Sequence, residues 1–383
     1  MNPADRDAVE ATCEAAERDA AAADATATFP VAALTAMRDT GLLGLTAPAD
    51  HGGRGGGVTD LVEATILLGR ADLSVALIFT MHCQQVMTLA RHAGPRLRER
   101  VLPQVAKGAM YLASVTTSAG SGGRLQTSSS PSLRDGDLIR IDRDAPIVTG
   151  GAHADGFLIT VQTAGTATPG QVDLVFAARD QLDVRMLGGW QPLGMRATES
   201  TPMRLTGAVP AWQTVGEPGG FPAIAAGLFA PLAHVGWAAA WLGTAAGALS
   251  RVVRHLRGPG RSAAGPPGEL VRAHLATVRG RLDVVNALLR HTAAVLDSVG
   301  DLSAPPVQLL VNTLKVRASQ ECYQAVDELI DVAGLKHGYM AGSALGLERA
   351  LRDLRSASLN YSNDRLTLAN GSLALMDSQV HLV

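Results

Sequence analysis

The spacing of apolar positions changes twice along the 383-residue chain. In the first third, apolar residues recur every three or four positions, which predicts helices. The middle third alternates apolar and polar residues between Gly, Ser and Asp, which predicts short strands. The predicted helices are residues 8–23, 31–40, 60–70 and 73–92, and the predicted strands are residues 111–117, 137–143, 156–163, 172–177 and 203–205. Long helical periodicity then returns, from residue 221 and over residues 270–299, 306–333 and 346–359.

This order predicts an α+β fold in three parts. We expect an N-terminal α-helical domain over residues 1–110, a middle β domain over residues 111–215 and a C-terminal helical bundle over residues 216–383. A chain of this length can bury enough apolar surface to stabilise several domains.

Composition narrows the class of protein. Hydrophobic residues make up 47% and charged residues 18%, which excludes a disordered chain. A net charge of -2 gives no overall field that would attract nucleic acid. Cys13, Cys83 and Cys322 are far apart and have no paired spacing, so neither a disulfide framework nor a metal site is predicted. The N-terminus lacks the apolar run of a signal peptide, and we expect a cytoplasmic protein.

One uncharged stretch, residues 221–249, is long enough to cross a bilayer. Pro231, His234 and several glycines interrupt it, and it lacks the flanking aromatic and basic anchors of a membrane span. A helix that is apolar on all sides also suits the centre of a bundle. We therefore predict no membrane contact, and the apolar C-terminal helices indicate self-association as a dimer or tetramer.

Four local motifs occur in an order found in a known family. They are GLLGLTAPADHGG at residues 41–53, GPRLRERVLPQVAKG at 94–108, WQPLGMRATES at 190–200 with Val209 and Pro210 after it, and LERALRD at 347–353. On these motifs the chain resembles the acyl-CoA dehydrogenase superfamily over nearly its whole length. The resemblance implies a flavoenzyme with a β-barrel-like middle domain and a C-terminal four-helix bundle.

The resemblance also implies a flavin site on the β domain. VTTSAGSGGR at residues 115–124 is similar to the family's T-E-P-G-x-G-S-D, and IVTGG at residues 147–151 is similar to W-I-T-N-G. The predicted contacts are Thr117, Gly122, Gly123, Ile147 and Thr149, with Arg261 in place of the loop that reaches the pyrophosphate. Small residues let a flat ring approach the backbone, and hydroxyls tune its electron affinity. A serine- and glycine-rich turn without a ligand is the alternative.

Departures from the family pattern leave the cofactor open. The family's Glu-Pro is Ser118-Ala119 here, and its glutamine before a glycine pair is Asp331, which would repel a pyrophosphate. FAD is the first expectation. FMN, reduced flavin supplied by a partner reductase, and loss of flavin all remain alternatives.

The family's catalytic carboxylate is missing. Desaturation of an acyl thioester needs an ionised base over the flavin, but the family glutamate position falls on Tyr361, and the alternative position falls beside His234. Tyrosine, with a pKa near ~10, is a poor base, whereas histidine can act as one. His234 and Tyr361 are the candidate catalytic residues, and His82 and Asn360 are candidate pocket residues. A core histidine satisfied by one hydrogen bond is the alternative for His234.

Three functions follow from these observations. The first is a divergent flavin-dependent oxidoreductase that oxidises an acyl or amine substrate of secondary metabolism. The second is a monooxygenase that uses reduced flavin and O2; related monooxygenases also lack the glutamate, but they often carry a histidine beside the position of Asn360, which this chain does not. The third is a flavin-free descendant that uses the cleft for binding or acid–base chemistry.

Overall fold

The chain begins with a layer of helices. The structure, a computed structural model, describes residues 1–117, 125–128, 130, 132–166, 168, 170–258 and 267–383. The helices before the first strand are α1 (Pro3–Thr26), α2 (Val31–Asp39), α3 (Val58–Ala71), α4 (Leu73–His92) and α5 (Pro95–Ala106). Apolar residues surround α4, which is buried along most of its length, and Asp72 caps it by accepting a hydrogen bond from Val75 N at 3.1 Å.

The described strands form two sheets beside these helices. They are β1 (Leu112–Val115), β2 (Ser132–Asp135), β3 (Leu138–Val148), β4 (Gly156–Gln162), β5 (Val172–Ala178), β6 (Leu182–Met186), β7 (Thr201–Pro210) and β8 (Thr214–Val215). One sheet has the order β1-β4-β5-β8 and the other β2-β3-β7-β6. The pair β1 and β4 is parallel, and the other pairs are antiparallel. The barrel-like domain is thus a pair of open sheets in the described part of the chain.

Three strands escape the sequence pattern because they lie at sheet edges. The strands β2 and β6 border the second sheet and are mostly exposed, and β8 is a two-residue edge of the first sheet. An exposed edge strand needs no alternating apolar face, so its sequence carries no period-two signal. The buried strands β4 and β5 lie at the predicted positions, within a residue at each end.

The C-terminal part returns to long helices. It comprises α6 (Phe221–Ile224), a wide helical turn at Ala225–Phe229, α7 (Ala230–Leu256), α8 (Glu269–Ser298), α9 (Pro305–Gly334), α10 (Leu347–Arg355) and α11 (Asn363–Leu375). Helix α10 ends at Arg355, earlier than predicted, because a series of turns follows it as far as residue 362. Helix α11 was not predicted, because its polar and apolar residues are mixed on all sides and give no helical period.

Two helices are long and apolar enough to cross a membrane, namely Leu73–His92 and Phe221–Leu256. Within the protein, 83% and 67% of their most apolar windows are buried. Burial of this extent is typical of core helices in a soluble protein. On α11, Leu368 and Leu375 stay exposed, and self-association as a dimer or tetramer remains a prediction.

Close contacts join the N-terminal helices to α7 and α8. At the crossing of α3 and α7, Gly69 faces the Ala240 backbone and Gly243 faces the Ile66 backbone. The carboxylate of Asp297 on α8 accepts hydrogen bonds from Val58 N at 2.8 Å and from Thr59 N, and so caps α3. These contacts set the distances between α3, α7 and α8.

Replacing Gly243 by Ala should destabilise the protein by about 1–3 kcal/mol, because the new Cβ would overlap the Ile66 carbonyl. The matched control is Gly280→Ala on α8, where a new Cβ meets nothing within 4 Å. This substitution should stabilise the protein by up to about 1 kcal/mol, because alanine favours a helix more than glycine does. Urea unfolding of both variants measures the difference. Equal unfolding midpoints would contradict the close-packing explanation.

Candidate functional site

A cavity of about 600 Å³ opens where the two sheets meet helices α4 and α7. Its walls come from α4, the end of β1, the β3 bulge, residues 190–200, the start of α7 and residues 359–362. On α4, Gln84 donates a hydrogen bond to the Phe229 carbonyl at 2.5 Å, in the wide turn before α7. Such turns are frequent at functional sites, and this one places Phe229 and Ala230 on the cavity wall.

The sheet side of the cavity is lined with hydroxyl groups. Thr117 Oγ1 donates a hydrogen bond to the Ile147 carbonyl at 3.0 Å. Thr149 Oγ1 and Ser200 Oγ are 2.9 Å apart, and Ser200 also bonds Thr198 at 2.8 Å. The register between β3 and β7 shifts between Ala145 and Val148, and this bulge leaves the Ile147 side chain 45% exposed in the cavity wall.

Arg143 supports this wall from behind. Its side chain is fully buried and donates hydrogen bonds to the Thr117 carbonyl at 2.7 Å and to Ser130 Oγ at 2.6 Å. Burial lowers its pKa to about 10, so the guanidinium still carries its charge at neutral pH. A buried cation therefore fixes the backbone at the end of β1, where Thr117 meets the cavity.

His234 and Tyr361 face each other on the helical side. Their ring centroids are 5.6 Å apart, and the ring of Trp237 lies 5.8 Å from His234. His234 is 3% exposed, and its Nδ1 has no hydrogen-bond partner among the described residues. Burial, and secondly the charge of Lys315, lowers the pKa of His234 to about 3. The imidazole is therefore neutral at physiological pH, and its buried Nδ1 has no hydrogen-bond partner among the described residues.

His82 lies outside the cavity lining, in contrast to the sequence-based expectation. Its Nε2 is 2.9 Å from the Leu43 carbonyl, and its Nδ1 accepts a hydrogen bond from Leu112 N at 3.0 Å. Burial lowers the pKa of His82 to about 4. Both ring nitrogens are thus occupied by backbone groups, and the residue joins α4 to β1 in the core.

The cavity brings six of the predicted site residues together. Thr117, Ile147, Thr149, His234, Asn360 and Tyr361 all line it. Asn360 Nδ2 also contacts Met195 Sδ at 3.4 Å. The predicted contacts Gly122, Gly123 and Arg261 lie outside the described residues.

Residues 190–200 form one side of the cavity, and none of them was predicted as a site residue. Trp190, Met195, Thr198 and Ser200 line the cavity, and Trp190 Nε1 donates a hydrogen bond to the Met195 carbonyl at 3.1 Å. The backbone adopts positive φ at Met195 and Glu199, which turns the chain towards the cavity. The motif at these positions was the available signal, but it assigned no role to single residues.

Charge is scarce on the cavity wall. None of the described residues that line it is Asp or Glu. The charged side chain among these lining residues is that of Arg365, which is exposed at the rim. The carboxylate behind the wall is Asp353, whose Oδ1 accepts a hydrogen bond from Met195 N at 2.7 Å. Burial, together with the charge of Asp72, raises the pKa of Asp353 to about 7. It anchors residues 190–200 and does not reach the cavity.

Family models match both helical parts of the chain. The acyl-CoA dehydrogenase N-terminal domain matches residues 4–109, and the acyl-CoA dehydrogenase C-terminal domain matches residues 222–360. Together they cover more than half of the chain. The chain belongs to the acyl-CoA dehydrogenase superfamily. The predicted family and its helix–sheet–helix fold are confirmed.

Members of the superfamily with two different activities match most of the chain. Cyclohex-1-ene-1-carbonyl-CoA dehydrogenase of Syntrophus aciditrophicus is 25% identical over 88% of this chain and 81% of its own length. Amino sugar nitrososynthase DnmZ of Streptomyces peucetius is 27% identical over 93% of this chain and 88% of its own length. The solved structure of KijD3 in complex with FMN and dTDP-3-amino-2,3,6-trideoxy-4-keto-3-methyl-D-glucose shares the fold, with a TM-score of 0.86, 23% identity, and coverage of 99% of this chain and 95% of that chain.

The stability of the protein should depend on the titration of Asp353. Its folded pKa of about 7 exceeds the ~3.9 of an unfolded aspartate, so the stabilising contribution is complete below about pH 4 and is lost as the pH rises towards 7. Asp353→Asn keeps an oxygen acceptor for Met195 N and should therefore flatten the fall in unfolding temperature between about pH 4 and 7. Burial also raises the pKa of Asp72, so part of the slope should remain.

Asp364→Asn, at an exposed position on α11, is the matched control and should leave the profile unchanged. Differential scanning fluorimetry across this pH range provides the measurement. A profile for Asp353→Asn that superimposes on that of the parent protein would contradict the assignment.

Proposed function

We propose that this protein is a flavin-dependent monooxygenase that uses reduced flavin and O2 to oxygenate a small amine. The observation that carries the proposal is the absence of a carboxylate among the described residues that line the cavity. Tyr361 and a neutral His234 lie where a desaturating enzyme would need an ionised base. The cavity suits a reaction that needs an enclosed, apolar space more than a proton-abstracting group.

His234 is a weak substitute for the missing base. A general base works best when its pKa lies near the pH at which the enzyme operates. With its pKa lowered to about 3 by burial, His234 would hold an abstracted α-proton poorly. A neutral imidazole that lines the cavity is better suited to forming a hydrogen bond with the substrate.

The sheet side of the cavity fits a flavin ring. Thr117, Thr149 and Ser200 offer neutral hydroxyls, and the β3 bulge exposes backbone close to them. These groups match the carbonyl and ring-nitrogen edge of a flavin, and Trp190 adds an aromatic surface at the same cavity. When bound in reduced form, the flavin supplies two electrons to O2. The residues of this chain would position the ring and exclude water around it.

An amine is the substrate class that the electrostatics favour. A cavity without a described carboxylate stabilises an ammonium ion poorly, so a bound amine should lose its proton and present a nucleophilic lone pair. His234 would accept a hydrogen bond from the amine N–H. In the overall reaction one oxygen atom enters the N–H bond to give a hydroxylamine. The other oxygen leaves as water, with two electrons and two protons from the reduced flavin.

Relatives support this assignment. An amino sugar nitrososynthase matches nearly the whole chain, and the KijD3 structure is a complex with both FMN and a nucleotide-linked amino sugar. We infer that the protein receives reduced flavin from a separate reductase, as the second sequence-based hypothesis requires. FMN and FAD are both candidates, because Arg261, the predicted pyrophosphate contact, lies outside the described residues.

Dehydrogenation of an acyl or amine substrate by oxidised flavin is the second candidate. It was the first hypothesis from the sequence, and the match to a dehydrogenase over most of the chain favours it. It requires oxidised flavin and an electron acceptor, whereas oxygenation requires reduced flavin and O2. This difference separates the two reactions experimentally.

The purified protein should bind flavin and consume O2 only when reduced flavin is supplied. Absorbance titration with FAD and FMN tests binding, since a protein-bound flavin changes the cofactor's spectrum near ~450 nm. An oxygen electrode with a flavin reductase, and a panel of primary amines that includes amino sugars, tests the reaction. Anaerobic turnover with an artificial electron acceptor would favour dehydrogenation instead, and failure to bind either flavin would contradict both reactions.

Replacing Thr149 by Val should weaken flavin binding about tenfold, because one hydrogen bond, worth ~1–1.5 kcal/mol, would be lost at the sheet wall. Thr277→Val on the exposed side of α8 is the matched control and should leave the affinity unchanged. Fluorescence quenching of FMN gives both dissociation constants. The same affinity in both variants would show that Thr149 does not contact the flavin.

A further inference from the structure

Lys315 is a basic residue in an apolar setting, where burial lowers its pKa to about 7. The chain has lysines at positions 107, 315 and 336, and Lys315 is fully buried on α9, whereas the other two are exposed. Its Nζ lies 5.7 Å from the centre of the Trp241 ring on α7. No described carboxylate forms an ion pair with it. Lysine is rarely buried in this way because its ammonium loses hydration, so the position calls for specific polar partners.

The partners of Lys315 belong to the turn that closes the cavity. Its Nζ donates hydrogen bonds to the Tyr361 carbonyl at 2.5 Å and to Asn363 Oδ1 at 2.8 Å. Asn363 in turn donates from Nδ2 to Ser319 Oγ at 2.9 Å, one helical turn further along α9. The ammonium therefore ties residues 361–363 to α9 at the point where α11 begins.

Tyr361 adopts a backbone conformation that needs such support. Its φ is +58°, in the left-handed region that side chains with a Cβ seldom occupy. Residues in this region persist where the surrounding structure imposes the conformation, and such residues concentrate at active sites and ligand-binding sites. The left-handed turn directs the Tyr361 ring into the cavity, where it meets His234 at 5.6 Å.

We propose that Lys315 is a positioning residue for the cavity, because its ammonium holds the Tyr361 carbonyl and thereby fixes the Tyr361 ring against His234. Lys315 does not line the cavity and so acts through Tyr361 and not on a ligand. When Lys315 is protonated, its charge also adds to the effect of burial in lowering the pKa of His234. The inference concerns the protein alone and holds whichever reaction the cavity carries out.

Fluorine NMR on the ligand-free protein tests this role directly. The chain has four tyrosines, so 3-fluorotyrosine labelling gives four resonances, and Tyr361→Phe identifies the one from Tyr361. In Lys315→Met the Tyr361 resonance should shift and broaden as the turn samples other conformations. The resonances of Tyr111, Tyr323 and Tyr339 should stay in place. In Lys315→Arg, which keeps a cationic donor, the Tyr361 resonance should return towards its original position.

Arg317→Met is the matched control, since it removes a cation from the exposed side of the same helix. It should leave all four resonances unchanged. If Lys315→Met does not fold, Lys315→Gln, which keeps a neutral N–H donor in a shorter side chain, allows the same comparison.

Two outcomes would overturn the proposal. One is a folded Lys315→Met variant, or Lys315→Gln if the methionine variant does not fold, whose Tyr361 resonance coincides with that of the parent protein. The other is an equal movement of all four resonances with a lowered unfolding temperature, which would mean that Lys315 only stabilises the bundle. Because no flavin or substrate is added, neither outcome depends on the proposed monooxygenase activity.

Discussion

The burial of two long apolar helices determines the rest of the architecture. Helices α4 and α7 are apolar on nearly all sides, and an exposed apolar surface of that size would be unfavourable in water. They pack against α3, α9 and the first sheet, and the glycines at the α3 and α7 crossing allow the backbones to approach closely. The cavity forms where both helices reach the β domain, so its walls inherit their apolar character.

Charged side chains surround this cavity but stay behind its walls. Arg143 holds the Thr117 carbonyl, Asp353 holds the Met195 amide, and Lys315 holds the Tyr361 carbonyl. Each of the three side chains is buried, and each fixes the backbone of one segment that lines the cavity. A rigid, nearly uncharged interior is the result. Such an interior suits a flat neutral ring and an uncharged amine better than the anionic intermediate of acyl-CoA desaturation.

The sequence predicted the architecture better than it predicted the cavity. Periodicity located α4, α7 and the buried strands, because burial imposes a regular apolar pattern on them. It failed for the edge strands β2 and β6, which need no such pattern. The resemblance pointed to His234, Tyr361 and Thr149, which line the cavity, and also to His82, which does not and whose ring nitrogens bond the backbone of Leu43 and Leu112.

The residues behind the cavity walls could not be predicted from the sequence, because their partners are distant in sequence. Lys315 is 46 positions from Tyr361, and Asp353 is 158 positions from Met195. A lone lysine among the apolar residues of α9 was the available signal. Its meaning depends on which segment packs against it, and that information exists only in the tertiary structure.

The proposed monooxygenase activity requires that the cavity support transfer of oxygen and not removal of a proton. Turnover under ¹⁸O2, with FMN kept reduced by a reductase and an amino sugar as the amine probe, tests it most directly. If the protein oxygenates the amine, we expect a product that carries one ¹⁸O atom on nitrogen, with one O2 consumed for each hydroxylamine formed. A product that forms without ¹⁸O, or without O2 when an artificial electron acceptor is present, would contradict oxygen transfer to the amine.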